Sequence, residues 1–404
     1  MRHSDKISRV LVYSHDSVGL GHIFRVLAVI TGIRKWRPDL EFLVLTGSSI
    51  PHILMRQGIE VIKLPGIKQG MHRDDPHLSP RYLHKTPLAD ILDLRKKIIA
   101  RTFSLYRPDA VMIEHYLAGL EGEIMPILKA KKGRRGTPDD FALVSLTRGI
   151  YKDKGALPET PGERALFHCA PLYDAIYVFD ERDRIDVNQE YLGADAAMEA
   201  KIHYLGPILD KRPEEIPERQ EILERFRLKD MPILLLCLSR YGDIRGILRR
   251  LLAAFDRLGL TNAFQAIMIV DPYLDAVIAG DLRSDPLFRH VRFLPFFYPL
   301  VDLMKASEII VCRAGYNTVN EVLMTGRKAL VIPERHPSGE QERRARGLSS
   351  RNLIVASEEE ILAGPPDHLI TELLGRQTAP IAPGTDKYAI GKKIIEDLEA
   401  WTGS

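Results

Sequence analysis

Short runs of Val, Ile and Leu recur along this chain with longer helical patterns between them. In the first half the runs are Val10–Tyr13, Phe42–Leu45, Val61–Leu64, Ala110–Ile113, Ala142–Leu146, Ile176–Phe179 and Ile202–Leu205. In the second half they are Ile233–Leu238, Ala266–Val270, Val291–Leu294, Ile309–Cys312, Ala329–Ile332 and Leu353–Val355. A strand that is apolar throughout has no face to give to water, so both faces must be covered. Helical patterns such as Ile23–Trp36, Leu88–Tyr106 and Gly246–Leu258 supply the cover and make the sheets parallel. The expected class is α/β, built from doubly wound, Rossmann-like sheets.

Thirteen strands are many for one open sheet, and 404 residues suit two domains. The series breaks at Gly206–Pro217, GPILDKRPEEIP, whose prolines and charges read as a linker. The expected organisation is a domain over 1–206, a linker over 207–216 and a second domain over 217–384. Within 385–404, Lys387–Trp401 reads as a helix with apolar positions at Tyr388, Ile390, Ile394, Ile395 and Leu398. Asp386 is its expected cap, and the helix is expected to pack near the interdomain junction. Ligands of such sheets lie outside the strands' carboxyl ends, so a cleft between the domains is the expected site.

Charge narrows the partners. Lys and Arg total 57 against 54 Asp and Glu, too even for a dedicated nucleic-acid binder. Residues 1–150 hold 24 basic and 15 acidic side chains, an excess of +9; the remainder hold 33 and 39. The basic half suits either an anionic partner, such as a phosphorylated substrate or a membrane surface, or ordinary solvated surface. The clusters Arg95-Lys96-Lys97 and Lys131-Lys132-Gly133-Arg134-Arg135 admit the same two readings. Cys169, Cys237 and Cys312 are far apart and read as free thiols in a reducing cytoplasm. Met1 to Arg9 is polar, so no secretory signal is expected, and no apolar run approaches the ~18 residues of a membrane span.

Ser14–His22, SHDSVGLGH, leads from the first strand into the first helix. Gly19 and Gly21 permit a tight turn and close approach of a ligand to the backbone. The loop is not G-x-G-x-x-G, because Phe24 stands third after Gly21, and Thr46-Gly47-Ser48-Ser49 offers no acid for a ribose. A dehydrogenase is therefore disfavoured. His22 at the helix start is a candidate general base or anion donor, and Asp16 a second base or its orienting partner. Glu114-His115-Tyr116 follows another strand and is a candidate acceptor contact, or simple strand-end polarity.

In the second half, strand Ile309–Cys312 runs through Arg313-Ala314-Gly315-Tyr316-Asn317-Thr318 into a helix. Gly315 loosens the turn and Asn317 or Thr318 can cap it, making a helix-terminus anion site suited to a diphosphate. Glu321, one turn in, is placed to accept hydrogen bonds from ribose hydroxyls. An ordinary capped helix with a surface Glu is the other reading.

Phe296 and Phe297, Ser307-Glu308, Cys312-Arg313-Ala314-Gly315, Thr318, Glu321, Gly326 and Pro333 together resemble the donor-binding region of GT-B glycosyltransferases. The MurG-like enzymes, which move N-acetylglucosamine from UDP to a lipid-linked acceptor, are the nearest resemblance. Glu334–Ala345 is similar to that family's sugar-contacting loop and keeps Gln341, and Gly21-His22 resembles its amino-terminal Gly-Gly-His loop. The whole chain also resembles a broader group of bacterial glycosyltransferases. The resemblance implies two Rossmann-like domains facing a cleft. It implies Phe297 at the uracil, Gly315, Tyr316, Asn317 and Thr318 at the diphosphate, Glu321 at the ribose, Gln341 at the donor sugar and His22 near the reacting centre. The pattern is not kept everywhere. The family's Gly-Gly-Ser loop appears as Cys237-Leu238-Ser239-Arg240-Tyr241-Gly242, where Ser239 survives and Arg240 offers a charge. Leu209 stands where an Arg is expected, and Glu340 replaces the first of two sugar-contacting glutamines.

No Asp-x-Asp occurs in the sequence, so no metal or other cofactor is expected. The implied reaction is an inverting transfer of a hexose, N-acetylglucosamine for instance, from a UDP-linked donor. The departing diphosphate would be stabilised by helix dipole, backbone N–H groups and Arg240 or Arg313. The acceptor is an unidentified hydroxyl compound, anionic or lipid-linked, which would place a cytoplasmic protein at the inner membrane face. Two rivals share donor binding: a UDP-sugar 2-epimerase, and a nucleotide-sugar sensor without catalysis.

Overall fold

A computed structural model describes every residue except 1–6, 16–20, 70–77, 150–168, 193, 239–241, 272–275, 335–338, 347, 349–351, 379–385 and 403–404. The chain divides into two compact units. The change from one to the other falls between Asp210 and Lys211, and the carboxyl-terminal helix belongs with the first unit.

The first unit contains β1 (Arg9–Ser14), β2 (Glu41–Thr46), β3 (Glu60–Lys63), β4 (Ile67–Gln69), β5 (Leu78–Pro80), β6 (Ala110–Glu114), β7 (Ala142–Thr147), β8 (Ala175–Val178) and β9 (Ile202–Tyr204). Its main sheet is parallel in the order β3-β2-β1-β6-β7-β8-β9. Val10, Leu11, Val12 and Tyr13 of β1 are all fully buried, so alternate residues of this one strand feed both faces of the sheet. On one face Leu11, Tyr13, Val111, Ile113 and Leu143 form a core with Ile99 and Phe103 of α2 (Leu88–Tyr106) and Ile127 and Leu128 of α3 (Met125–Arg134). The helix α1 (Gly21–Arg34) is buried almost all round, because β1 lies on one side and the last helix, Lys387–Thr402, on the other. In that last helix Ile390, Ile394, Ile395 and Leu398 are buried, and Asp386 accepts from the Tyr388 N–H at 2.9 Å, the expected cap. The two helices touch backbone to backbone. A Cβ built on Gly32 would meet the Lys387 carbonyl oxygen, and one on Gly391 would meet the Gly32 carbonyl.

The second unit contains β10 (Ile233–Cys237), β11 (Gln265–Val270), β12 (Val291–Pro295), β13 (Ile309–Cys312), β14 (Lys328–Val331) and β15 (Leu353–Val355) in the parallel order β12-β11-β10-β13-β14-β15. One face packs Leu234 and Leu236 against Ile247, Leu248 and Leu251 of α4 (Ile244–Arg257). Asp243 caps α4, accepting from the Gly246 N–H at 2.8 Å. The other face packs Leu235, Ile310 and Cys312 against Leu303 and Met304 of α5 (Val301–Ala306) and Val319 and Val322 of α6 (Tyr316–Thr325). Two more helices, α7 (Glu340–Ala345) and α8 (Glu358–Ala363), follow β14 and β15; the carboxyl-terminal helix is α9.

Both sheets start in the middle and reverse direction once. The reversal lies between β1 and β6 in the first and between β10 and β13 in the second. A crevice opens at such a switch point, outside the carboxyl ends of the strands. The antiparallel pair β4–β5 was not expected, because three-residue strands give no periodicity to read.

Candidate functional site

In the first unit the switch point gathers His15 after β1, His22 on α1, and Glu114 and His115 at the end of β6. Nδ1 of His22 lies 2.5 Å from Glu114 Oε2, and Arg25, one turn along α1, donates to the other carboxylate oxygen. Burial works to raise the Glu114 carboxyl, but His22 and Arg25 outweigh it, and its pKa falls below the ordinary value. Burial lowers the His22 pKa in spite of Glu114. The neutral imidazole therefore faces an ionised carboxylate, which can only accept; Nδ1 carries the proton and Nε2 keeps its lone pair. The rings of His15 and His115 have centroids 4.2 Å and 5.9 Å from that of His22. Burial, and then neighbouring positive groups, hold both well below the ordinary histidine value. His115 also has a left-handed backbone, φ 64°, a strained conformation for a residue with a Cβ.

For Glu114 and His115, expected as acceptor contacts or as strand-end polarity, the surroundings are those of buried groups. Glu114 is fully buried with both oxygens committed, and its place is behind His22. His115 is 2% exposed and its Nδ1 lies 3.2 Å from Thr147 Oγ1. Gly21 is the first residue of α1; Asp16 and Gly19 lie outside the described residues. Ligand atoms of His15, His22 and Glu114 fall within 4.8 Å of one another. A cation among them would meet Arg25 and the field of Arg148, which already depresses all three histidines. The cluster is chemically suited to moving a proton beside an anion.

In the second unit α6 begins at the β10/β13 switch point. Its N-cap is Gly315, with no side-chain cap; Asn317 and Thr318 lie inside the first turn, correcting the expected cap. Tyr316 is buried, while Gly315, Asn317, Thr318 and Glu321 are half-buried. Burial, with the Glu321 charge adding to it, pushes the Cys312 thiol up to about 12, which places that carboxylate near the ends of β13 and β10. The Phe297 ring lies against Phe226, centroids 4.6 Å apart. The Gln341 amide is fixed on both sides by Glu334, accepting from its backbone N–H at 3.0 Å and donating to its Oε2 at 2.9 Å.

Arg313 corrects another expectation. It is 3% exposed and donates to Glu358 Oε1 at 2.8 Å, so it is turned inward rather than offered to a diphosphate. Gly242 rests on this pair, with φ 81° and no room for a Cβ between Arg313 and Glu358. The loop after β10 therefore ends on a buried ion pair. Ser239 and Arg240, within that loop, lie outside the described residues. A cavity of about 280 Å³ beside Pro333, Arg346 and Ser357 is lined by Glu342, Glu358 and Glu359.

The basic clusters are partly structural. Arg95 is buried and paired with Glu123 through 2.6 Å contacts, and Lys131 is buried between Asp140 and Asp174. Lys96, Lys97, Lys132 and Arg135 stay exposed. Among the described residues no helix is long and apolar enough to cross a membrane.

Reasoning from sequence passed over Arg25, Arg148, Glu334 and Arg344. Arg25 left one signal: a cation inside the apolar run Ile23–Ile33 has to be paired.

Residues 254–378 match the model of the glycosyltransferase family 28 C-terminal domain. A UDP-N-acetylglucosamine–N-acetylmuramyl-(pentapeptide) pyrophosphoryl-undecaprenol N-acetylglucosamine transferase of Listeria welshimeri is 24% identical over 87% of this chain and 88% of its own length. Among solved structures, MurG of Acinetobacter baumannii superposes with a TM-score of 0.55 at 14% identity, covering 98% of this chain and 99% of its own. The UDP-GlcNAc 2-epimerase of Methanocaldococcus jannaschii gives 0.62 at 12%, covering 97% and 99%. Two Rossmann-like halves with these solved neighbours show the GT-B fold, and the sequence matches point to the glycosyltransferases among the proteins that share it. Over most of its length the chain is similar to the MurG-like transferases, and the family 28 match is confined to its second unit.

Proposed function

We propose that this chain is an inverting, metal-independent hexosyltransferase that uses a UDP-linked sugar, N-acetylglucosamine first among the candidates, and a hydroxyl acceptor. The observation that carries the reading is His22, neutral and held by ionised Glu114 at the first sheet's switch point. Nε2 of His22 takes the acceptor's hydroxyl proton, and the oxygen attacks the anomeric carbon as its bond to the diphosphate breaks. Glu114 stabilises the imidazolium that results. The amino-terminal end of α6 receives the charge of the departing nucleoside diphosphate, with Glu321 at the ribose, Phe297 at the base and Gln341 at the sugar. The absence of Asp-x-Asp supports chemistry without a metal. The excess of +9 in residues 1–150 and the name of the Listeria relative favour an anionic, lipid-linked acceptor and peripheral membrane attachment.

The test is incubation with UDP-N-acetylglucosamine, with and without undecaprenyl-linked acceptor. Acceptor-dependent release of UDP supports the reading. An epimeric UDP-sugar formed without acceptor replaces it with the epimerase, whose fold is shared. Binding with neither product leaves a sensor.

A further inference from the structure

Arg344 lies on α7 but reaches the turn after β13. It is 8% exposed. Its Nη1 donates to the Ala314 carbonyl at 3.1 Å, its Nη2 to Glu340 Oε1 at 2.6 Å, and its guanidinium carbon stands 5.6 Å from the Tyr316 ring centroid. It therefore grips both neighbours of Gly315, the cap of a helix that has no side-chain cap of its own. The Ala314 carbonyl and the Gly315 N–H belong to one planar trans peptide and point in opposite directions. Holding the carbonyl fixes where that N–H is aimed. Glu340, one residue before Gln341, completes the link, so the same guanidinium ties the helix of the sugar contact to the diphosphate turn.

We propose that Arg344 is the positioning residue of the donor site, setting the Ala314–Tyr316 turn to receive the diphosphate, with Glu340 neutralising its charge. This rests on the nucleotide-donor reading above. A lysine is a point charge and cannot grip a carbonyl, a carboxylate and a ring face at once. Arg344 touches no reacting atom; it acts through backbone N–H groups.

The test compares dissociation constants of UDP and of uridine, which has no phosphate, by calorimetry on the full chain and on Arg344→Met, Arg344→Lys and Glu340→Gln. Arg344→Met should weaken UDP about tenfold, near 1.4 kcal/mol, and leave uridine within about twofold. Arg344→Lys, which keeps the charge and guards against misfolding, should fall between. Glu340→Gln still accepts the hydrogen bond but unmasks the positive charge, so UDP should bind about two- to threefold tighter. A merely structural pair predicts loss in all three variants, for UDP and uridine alike; that result overturns the proposal. An unchanged ratio of UDP to uridine in Arg344→Met also overturns it while leaving the donor reading intact. A wild-type chain that binds no UDP overturns the donor reading, and the role of Arg344 with it.

Discussion

His22 is an ordinary residue made specific by its surroundings. A free imidazole near pKa 6.5 is half-charged close to neutrality and a poor base when protonated. Burial lowers that value while Glu114 keeps the ring oriented, so the base form prevails at neutral pH. His22→Ala should lower kcat about 10²- to 10⁴-fold with little effect on the donor KM, measured by UDP release. Glu114→Gln removes a charge that favours the imidazolium. It should lower kcat and move the acidic limb of the pH–rate profile to lower pH; an unmoved limb means that His22 is not the titrating base. Stability should follow the same groups. The folded-state values of His15, His22 and His115 are all depressed relative to the unfolded chain. Their contribution is whole above about pH 6.5, the ordinary histidine value, and is lost as pH falls through the folded values. The melting temperature should therefore drop on acidification below 6.5, and His15→Gln should flatten that drop.

At the scale of elements, α1 carries the most. It presents His22 and Arg25 on one turn, packs on β1, and meets α9 through Gly32 and Gly391. A side chain at either glycine collides with backbone, which cannot rotate away as a side chain can. Gly32→Val should destabilise the protein by about 1–3 kcal/mol or more, read as a fall in melting temperature, and Gly391→Val should act alike. Gly58→Val provides the contrast: its φ of 66° strains any side chain, but no atom lies within 4 Å to collide. The strand runs and the long helices were legible because apolar periodicity is local. Gly32 and Gly391 were not, since nothing in either helix announces a partner more than 350 residues away.

For the molecule as a whole, the proposed donor site is tested by which nucleotide stabilises the chain. A thermal-shift panel of UDP, GDP and dTDP at roughly 100 times the dissociation constant should show about 2.7 kcal/mol of stabilisation for the right base, and UDP is the expected winner. Stabilisation by GDP alone would move the donor assignment, not the fold. Sedimentation with anionic vesicles against neutral ones checks the membrane reading. Lys96, Lys97, Lys132 and Arg135 are exposed on the surface that contact would use, whereas Arg95 and Lys131 are held inside by carboxylates.

The order of strands and helices, the α/β class and the Gly315 turn could be read from the sequence, which also singled out His22 and Arg313. They depend on patterns a few residues long, each with its own local physics. The partners of those residues could not. Glu114 stands 92 positions from His22, Glu358 45 from Arg313, and Arg344 30 from Ala314. Proximity along the chain made Arg313, with Arg240, a candidate for the diphosphate, because a cation beside a glycine turn looks free. Burial decided otherwise. A charge taken out of water needs a counter-charge within reach, and only the folded chain determines which one is there.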